Sequence, residues 1–138
     1  MANNVENLWP EIKTDGFSVP KVILSKQAAY LGESTKNLLT AKVESCLLPS
    51  SDNPNGRSNK NTIKHRFIVS APMLNYQFEL LSVEHDMLAS YPLKLTCDIL
   101  EARDHYVSTE EQFIKALSYI FKDSKAQNVV RTLIAQSQ

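Results

Sequence analysis

Between Leu39 and Ile99 the chain places an apolar side chain at every second position, segment after segment. Successive side chains on an extended strand point to opposite faces, so this period of two calls for an apolar layer on one side and water on the other. Four segments carry it. In the first, Leu39, Ala41, Val43, Ser45 and Leu47 alternate with Thr40, Lys42, Glu44 and Cys46. In the second, Ile63, His65, Phe67, Val69 and Ala71 share one face, opposite Lys64, Arg66, Ile68 and Ser70. In the third, Tyr76, Phe78 and Leu80 alternate with Gln77 and Glu79 until the apolar phase moves to Leu81 and Val83, the mark of a bulge or of two buried faces. The fourth follows the turn "DMLASYP" and sets Tyr91, Leu93, Leu95, Cys97 and Ile99 against Lys94, Thr96 and Asp98.

At both ends the period becomes helical. Pro20, with its backbone already near helical values, suits a first turn, and apolar or small residues recur at Leu24, Ala28, Leu31, Thr35 and Leu38. Gly32 costs about 1 kcal/mol relative to alanine inside a helix, so the helix is expected to end or bend there. Ser108 and Glu111 have capping-box spacing before a face of Phe113, Ala116, Leu117, Ile120 and Phe121. Asp123 or Ser124 with Gln127 repeats the signal before Val129, Val130, Leu133 and Ile134. A sheet that is polar on one face must cover the other, and these helices are the available material. The expected fold is therefore α+β: a two-layer sandwich in which a four-stranded antiparallel meander is covered by an N-terminal helix and two C-terminal helices.

Residues 1–20 read as an extended arm whose Leu8, Trp9, Ile12 and Phe17 lie on the domain, and residues 21–138 as one domain. Within it, the turn-rich "PSSDNPNGRSNKN" at 49–61 has almost nothing to bury and reads as a flexible loop between two strands.

A chain of 138 residues is long enough for one hydrophobic core, and 43% hydrophobic with 22% charged residues is ordinary for a folded protein. Fifteen basic residues balance fifteen acidic ones, which excludes a strong overall field toward nucleic acid or an anionic membrane. No apolar run approaches the roughly 20 residues of a spanning helix, and the first residues lack the basic start and apolar middle of a signal peptide. A cytoplasmic protein without membrane association is expected. Cys46 and Cys97 lie far apart, without the CxxC spacing of a redox motif or zinc knuckle. With three glycines and no GxGxxG, GxxxxGK[ST] or GxSxG, phosphate-cradling loops and a hydrolase elbow are disfavoured, and no cofactor or metal is implied.

The triplet Glu84, His85, Asp86 offers the residue types of acid/base catalysis. Adjacent residues on a strand diverge, however: the phase of Leu81 and Val83 turns His85 to the covered face and leaves Glu84 and Asp86 toward water, with Asp86 starting the next turn. A site here needs distant help, for which His65, in phase with Phe67 and Val69, is the candidate. If the protein is an enzyme, His85, His65, Glu84 and Asp86 are its catalytic set, in a small metal-dependent hydrolase. A second candidate is the basic stretch from 56 to 66, where Arg57, Lys60, Lys64 and Arg66 form a binding patch for weak phosphate contact with nucleic acid. It contains no aromatic residue to stack a base. The acidic residues Asp98, Glu101, Asp104, Glu110 and Glu111 form a patch of opposite sign that could steer a partner or pair two copies, but Glu110 and Glu111 read first as helix-start carboxylates. With no convergent catalytic set, the leading expectation is a non-enzymatic domain that binds a protein partner or a second copy of itself, since an open sheet leaves two edges.

Overall fold

The computed structural model describes residues 5–48 and 61–138. Apart from Asn61, the expected loop at 49–61 lies outside the described residues, as do Arg57 and Lys60.

Helix α1, Pro20–Ser34, is followed by strands β1, Thr40–Leu48, and β2, Thr62–Ala71. A single 3-10 turn, Pro72–Leu74, leads to β3, Tyr76–Asp86, then β4, Ala89–Cys97, and β5, Ala102–Val107. Helices α2, Glu110–Lys122, and α3, Ser124–Ser137, complete the fold. The strands form one antiparallel sheet in the order β1-β2-β3-β4-β5, with the helices on one side. The α+β architecture follows the pattern in the chain, but the sheet has five strands where four were expected.

The fifth strand, "ARDHYV", escaped because it lacks the alternation: only Val107 is buried. It is an edge strand with one neighbour, and Asp104, in the left-handed region at φ 53, inserts a bulge opposite Leu95–Cys97. β4 correspondingly stops at Cys97, and Ile99 falls in the turn closed by the Glu101 N–H donating to the Asp98 carbonyl at 3.0 Å. The expected turn at 86–92 is a two-residue hairpin, Met87-Leu88, with Asp86 opposite Ala89.

The anticipated phase change in β3 is a bulge. Phe67 pairs with Leu81 and Ile68 with Glu79, so Leu80 is an extra residue. Leu80 and Leu81 are both buried. On the covered face, Leu24 and Leu39 meet Phe67, Val69, Leu81, Val83, Leu93 and Leu95 of the sheet, and Val107, Phe113, Leu117 and Ile120 close the core. The opposite face carries charge: Arg66 binds Glu79 at 2.6 Å and Glu44 at 3.7 Å, and Lys94 lies 3.9 Å from Asp104.

α1 runs through Gly32 and ends at Ser34, two residues beyond the expected break. The chain then reverses through Lys36 and Asn37, both left-handed at φ 52 and 65, and the Asn37 N–H donates to the Gly32 carbonyl at 2.8 Å. A Cβ at position 32 would stand 3.1 Å from Asn37 Oδ1, so glycine suits this close approach. The turn also makes Leu39 rather than Leu38 the fully buried residue. At α2 the cap is one residue later than the Ser108–Glu111 spacing suggested. Thr109 Oγ1 accepts from the Gln112 N–H at 3.1 Å, and Gln112 Oε1 accepts from the Ser108 N–H at 2.9 Å. This resembles a capping box, with the return bond made to the residue before the cap. Asp123 caps α3 by accepting from the Lys125 N–H at 2.8 Å.

The N-terminal segment departs from expectation. Val5, Leu8, Trp9, Ile12 and Phe17 are 71 to 83% exposed and do not lie on the domain. Cys46 and Cys97 are free and sit on β1 and β4, with two strands between them. Among the described residues no helix is long and apolar enough to cross a membrane.

Phe113→Ala removes a fully buried ring and is expected to cost about 3–5 kcal/mol in urea unfolding. Leu88→Ser, at the 95% exposed hairpin tip, is expected to change stability by less than about 0.5 kcal/mol in the same assay.

Candidate functional site

The covered face of the sheet brings two histidines together. His65 stands opposite Ser45 on one side and Val83 on the other, and His85 stands opposite Ile63. His65 Nε2 is 3.1 Å from His85 Nε2, Ser45 Oγ is 2.7 Å from His65 Nδ1, and His85 Nδ1 is 2.8 Å from the Asp86 carbonyl and 3.2 Å from that of Ala89. Both carbonyls can come within reach because β4 is irregular here. The partner of Glu84 is Lys94 and that of Asp86 is Ala89, so a loop of β4 bends around His85.

The proton positions follow from donor and acceptor counting. Carbonyl oxygens only accept, so His85 Nδ1 carries a hydrogen. In neutral His85 the Nε2 then has a lone pair, which accepts from His65 Nε2–H. His65 Nδ1 is left to accept from the Ser45 hydroxyl. The result is an ordered chain from Ser45 through both rings to the backbone. It ends on two carbonyls, which fix the orientation and tautomer of His85.

His65 is 3% and His85 9% exposed. Burial foremost, then the charges of His85 and Lys21, pushes the His65 pKa from 6.5 down to about 4, so His65 is neutral near pH 7. Two Nε2 atoms at this separation could share a metal ion, but a structural zinc site needs four ligands and a catalytic one three. Among the described residues no group of three or more His, Cys, Asp or Glu is placed to hold one. Glu84 and Asp86, the other members of the conditional catalytic set, are not brought to the rings. Glu84 lies between Lys64 and Lys94 on the opposite face, and Asp86 Oδ1 accepts from the Leu88 N–H at 2.9 Å, starting the hairpin. Burial raises the Cys97 thiol above its ordinary range, which keeps it protonated and unreactive.

The described half of the basic stretch is matched by carboxylates. Arg66 is held by Glu79 and Glu44, and Lys64 faces Glu84 across the β2–β3 pairing. A run of like charge in the sequence thus becomes a ladder of alternating charge once the neighbouring strands are in register.

The helical side carries concave surface. Between α1 and the α2–α3 pair runs a groove with two adjoining cavities. One, of about 190 Å³, is lined by Tyr30, Leu31, Phe67, Leu80, Phe121 and Val130 among others. The next, of about 290 Å³, shares Gln27 and Phe121 with it and adds Ile23, Ile114 and Leu117. The floor is apolar and the rim carries Gln27, Ser34 and Gln127. A separate cavity of about 490 Å³ beside β5 is bordered by His105 and Tyr119. None of these is lined by His65 or His85. Periodicity could not reveal the groove, because it forms between helices that are distant in the chain.

Comparison with known protein families, with characterised proteins and with solved structures finds no match to this chain.

The pH dependence of stability tests the histidine assignment. His65 titrates near 6.5 when unfolded and about 4 when folded, so the unfolded chain binds more protons between these values. Stability is expected to be full above pH 6.5 and to fall on acidification toward pH 4, by on the order of 3 kcal/mol for this group. His65→Gln keeps a donor toward His85 but does not titrate, and is expected to flatten the slope of urea-melt stability against pH across this window.

Proposed function

We propose that the protein is a small, non-enzymatic cytoplasmic module that works by binding another protein chain, and that residues 5–17 are its partner-facing segment. The observation that carries this reading is the exposure of Val5, Leu8, Trp9, Ile12 and Phe17 together on one short arm. Scattered apolar side chains on a surface are ordinary, but five large apolar side chains within one 13-residue segment, left in water by their own domain, favour burial against a partner. The arm leaves from a well-anchored point, since Ser18 and Val19 are half-buried and Pro20 is buried.

The sheet edges are poorer candidates. β5 is bulged at Asp104 and β1 carries Lys42 and Glu44, devices that discourage the addition of another strand. The rival reading, a metal-dependent hydrolase, draws on the His65–His85 contact, yet both rings are enclosed and Glu84 and Asp86 point elsewhere. Nucleic-acid binding draws on Lys64 and Arg66; the charge of Arg66 is met by Glu79 and Glu44, and Lys64 stands opposite Glu84 in the register.

Purification of the tagged protein from its native cells, beside a Leu8→Asp/Ile12→Asp variant, tests the proposal. A partner, whether another protein or untagged copies of this chain, is expected with the native arm and lost with the variant, while the two proteins melt at the same temperature. Equal partner recovery with both would sink it.

A further inference from the structure

Resting on the reading of the arm as a partner-facing segment, we infer that its receptor is the groove between α1 and the α2–α3 pair of a second copy, so that two chains exchange arms. The groove has the chemistry such a segment needs: an apolar floor from Leu31, Phe67, Leu80, Phe121 and Val130, flanked by Gln27, Ser34 and Gln127, with Lys122 at its other end. Its two adjoining cavities extend along α1, which matches a run of several apolar side chains better than a single inserted one. The rim adds exposed apolar contact at Tyr30 near one end and Ile114 near the other.

The arm supplies what the groove lacks. Leu8, Trp9, Ile12 and Phe17 are the large apolar side chains of a segment that pairs with no strand. Pro10 withholds one backbone donor and favours an extended chain. Val19, at φ −122 and ψ 162 and held extended by the proline after it, carries the chain off the start of α1 and does not double it back at that residue. The arm turns once, where the Phe17 N–H donates to the Thr14 carbonyl at 3.0 Å with Gly16 at φ 76, and its apolar side chains stay exposed outside the chain's own groove, which leaves the groove of a neighbouring molecule as their receptor.

Exchange is reciprocal, each copy giving an arm and receiving one, so the assembly closes as a twofold dimer without leaving an open groove. Aromatic side chains bury about 150–250 Å² each, and two arms with their receiving surfaces reach on the order of the 1,200–2,000 Å² of a stable, specific interface.

Trp9 is the only tryptophan, so its fluorescence reports the arm directly. Light scattering of the purified full chain is expected to give about twice the 15.6 kDa monomer mass. Trp9 emission is expected to be blue-shifted and to move red on dilution, in step with dissociation. Leu8→Asp/Ile12→Asp in the arm and, separately, Tyr30→Lys/Ile114→Lys on the exposed groove rim are each expected to give a folded monomer with red emission. Mixing the two variants is expected to restore part of the blue shift, because one intact arm then meets one intact groove.

Three results would overturn the inference: a monomer at every concentration, a blue-shifted emission that does not change on dilution and so reports docking in the arm's own groove, or a dimer that survives both variants. A monomer whose arm still captures a different protein from native cells rejects the exchange and leaves the binding function standing. A monomer without any arm-dependent partner rejects both.

Discussion

The pairing of β2 with β3 across the bulge at Leu80 holds the apolar face of the sheet together. In a strand the side-chain period is two, so a slip of one residue turns every following side chain to the other face. The extra residue absorbs such a slip. Phe78 stays opposite Val69 below the bulge, Leu81 and Val83 stay opposite Phe67 and His65 above it, and all of them face the helices. Without it, either Tyr76 and Phe78 or Val83 and His85 would point toward the charged face. The helical layer, the burial of the histidines and the outward direction of Glu84 and Asp86 all follow from that one local irregularity.

Once the phase is set, the histidine pair is a solution to a burial problem. Each imidazole has one nitrogen that donates and one that accepts, and a buried one left unmatched costs free energy. Ser45, the two rings and the carbonyls of Asp86 and Ala89 satisfy both in one ordered chain. The same low-dielectric setting that makes this ordering effective disfavours the charged form of His65. Polar specificity on the covered side is balanced by electrostatic pairing on the other, where Glu44, Arg66 and Glu79 link three strands.

The helices cover the sheet incompletely. α1 enters from the N-terminal side and the α2–α3 pair returns from β5, so the two groups approach each other over the middle of the sheet and leave a seam floored by Phe67, Val69 and Leu80. The arm is the complementary case: apolar side chains without a surface to cover. These two unmatched features have the same chemistry, which is why the interaction proposed for the molecule uses both.

Alternation and helical spacing along the chain were sufficient for the α+β class, the first four strands, the three helices and the split of His85 from Glu84 and Asp86, because burial of one face acts on each residue through its immediate neighbours. β5 was not legible: an edge strand makes few burial demands, so "ARDHYV" carries almost no alternation. The Thr109 cap differed from the Ser108 alternative only by which side chain reaches the free N–H groups, a contest settled by the packing of α2. His65 meeting His85, Arg66 meeting Glu79 and the groove between α1 and the C-terminal helices belong to the tertiary structure alone. Strand register and helix placement join residues far apart in the chain, and no periodicity within a segment records which distant partner will stand opposite.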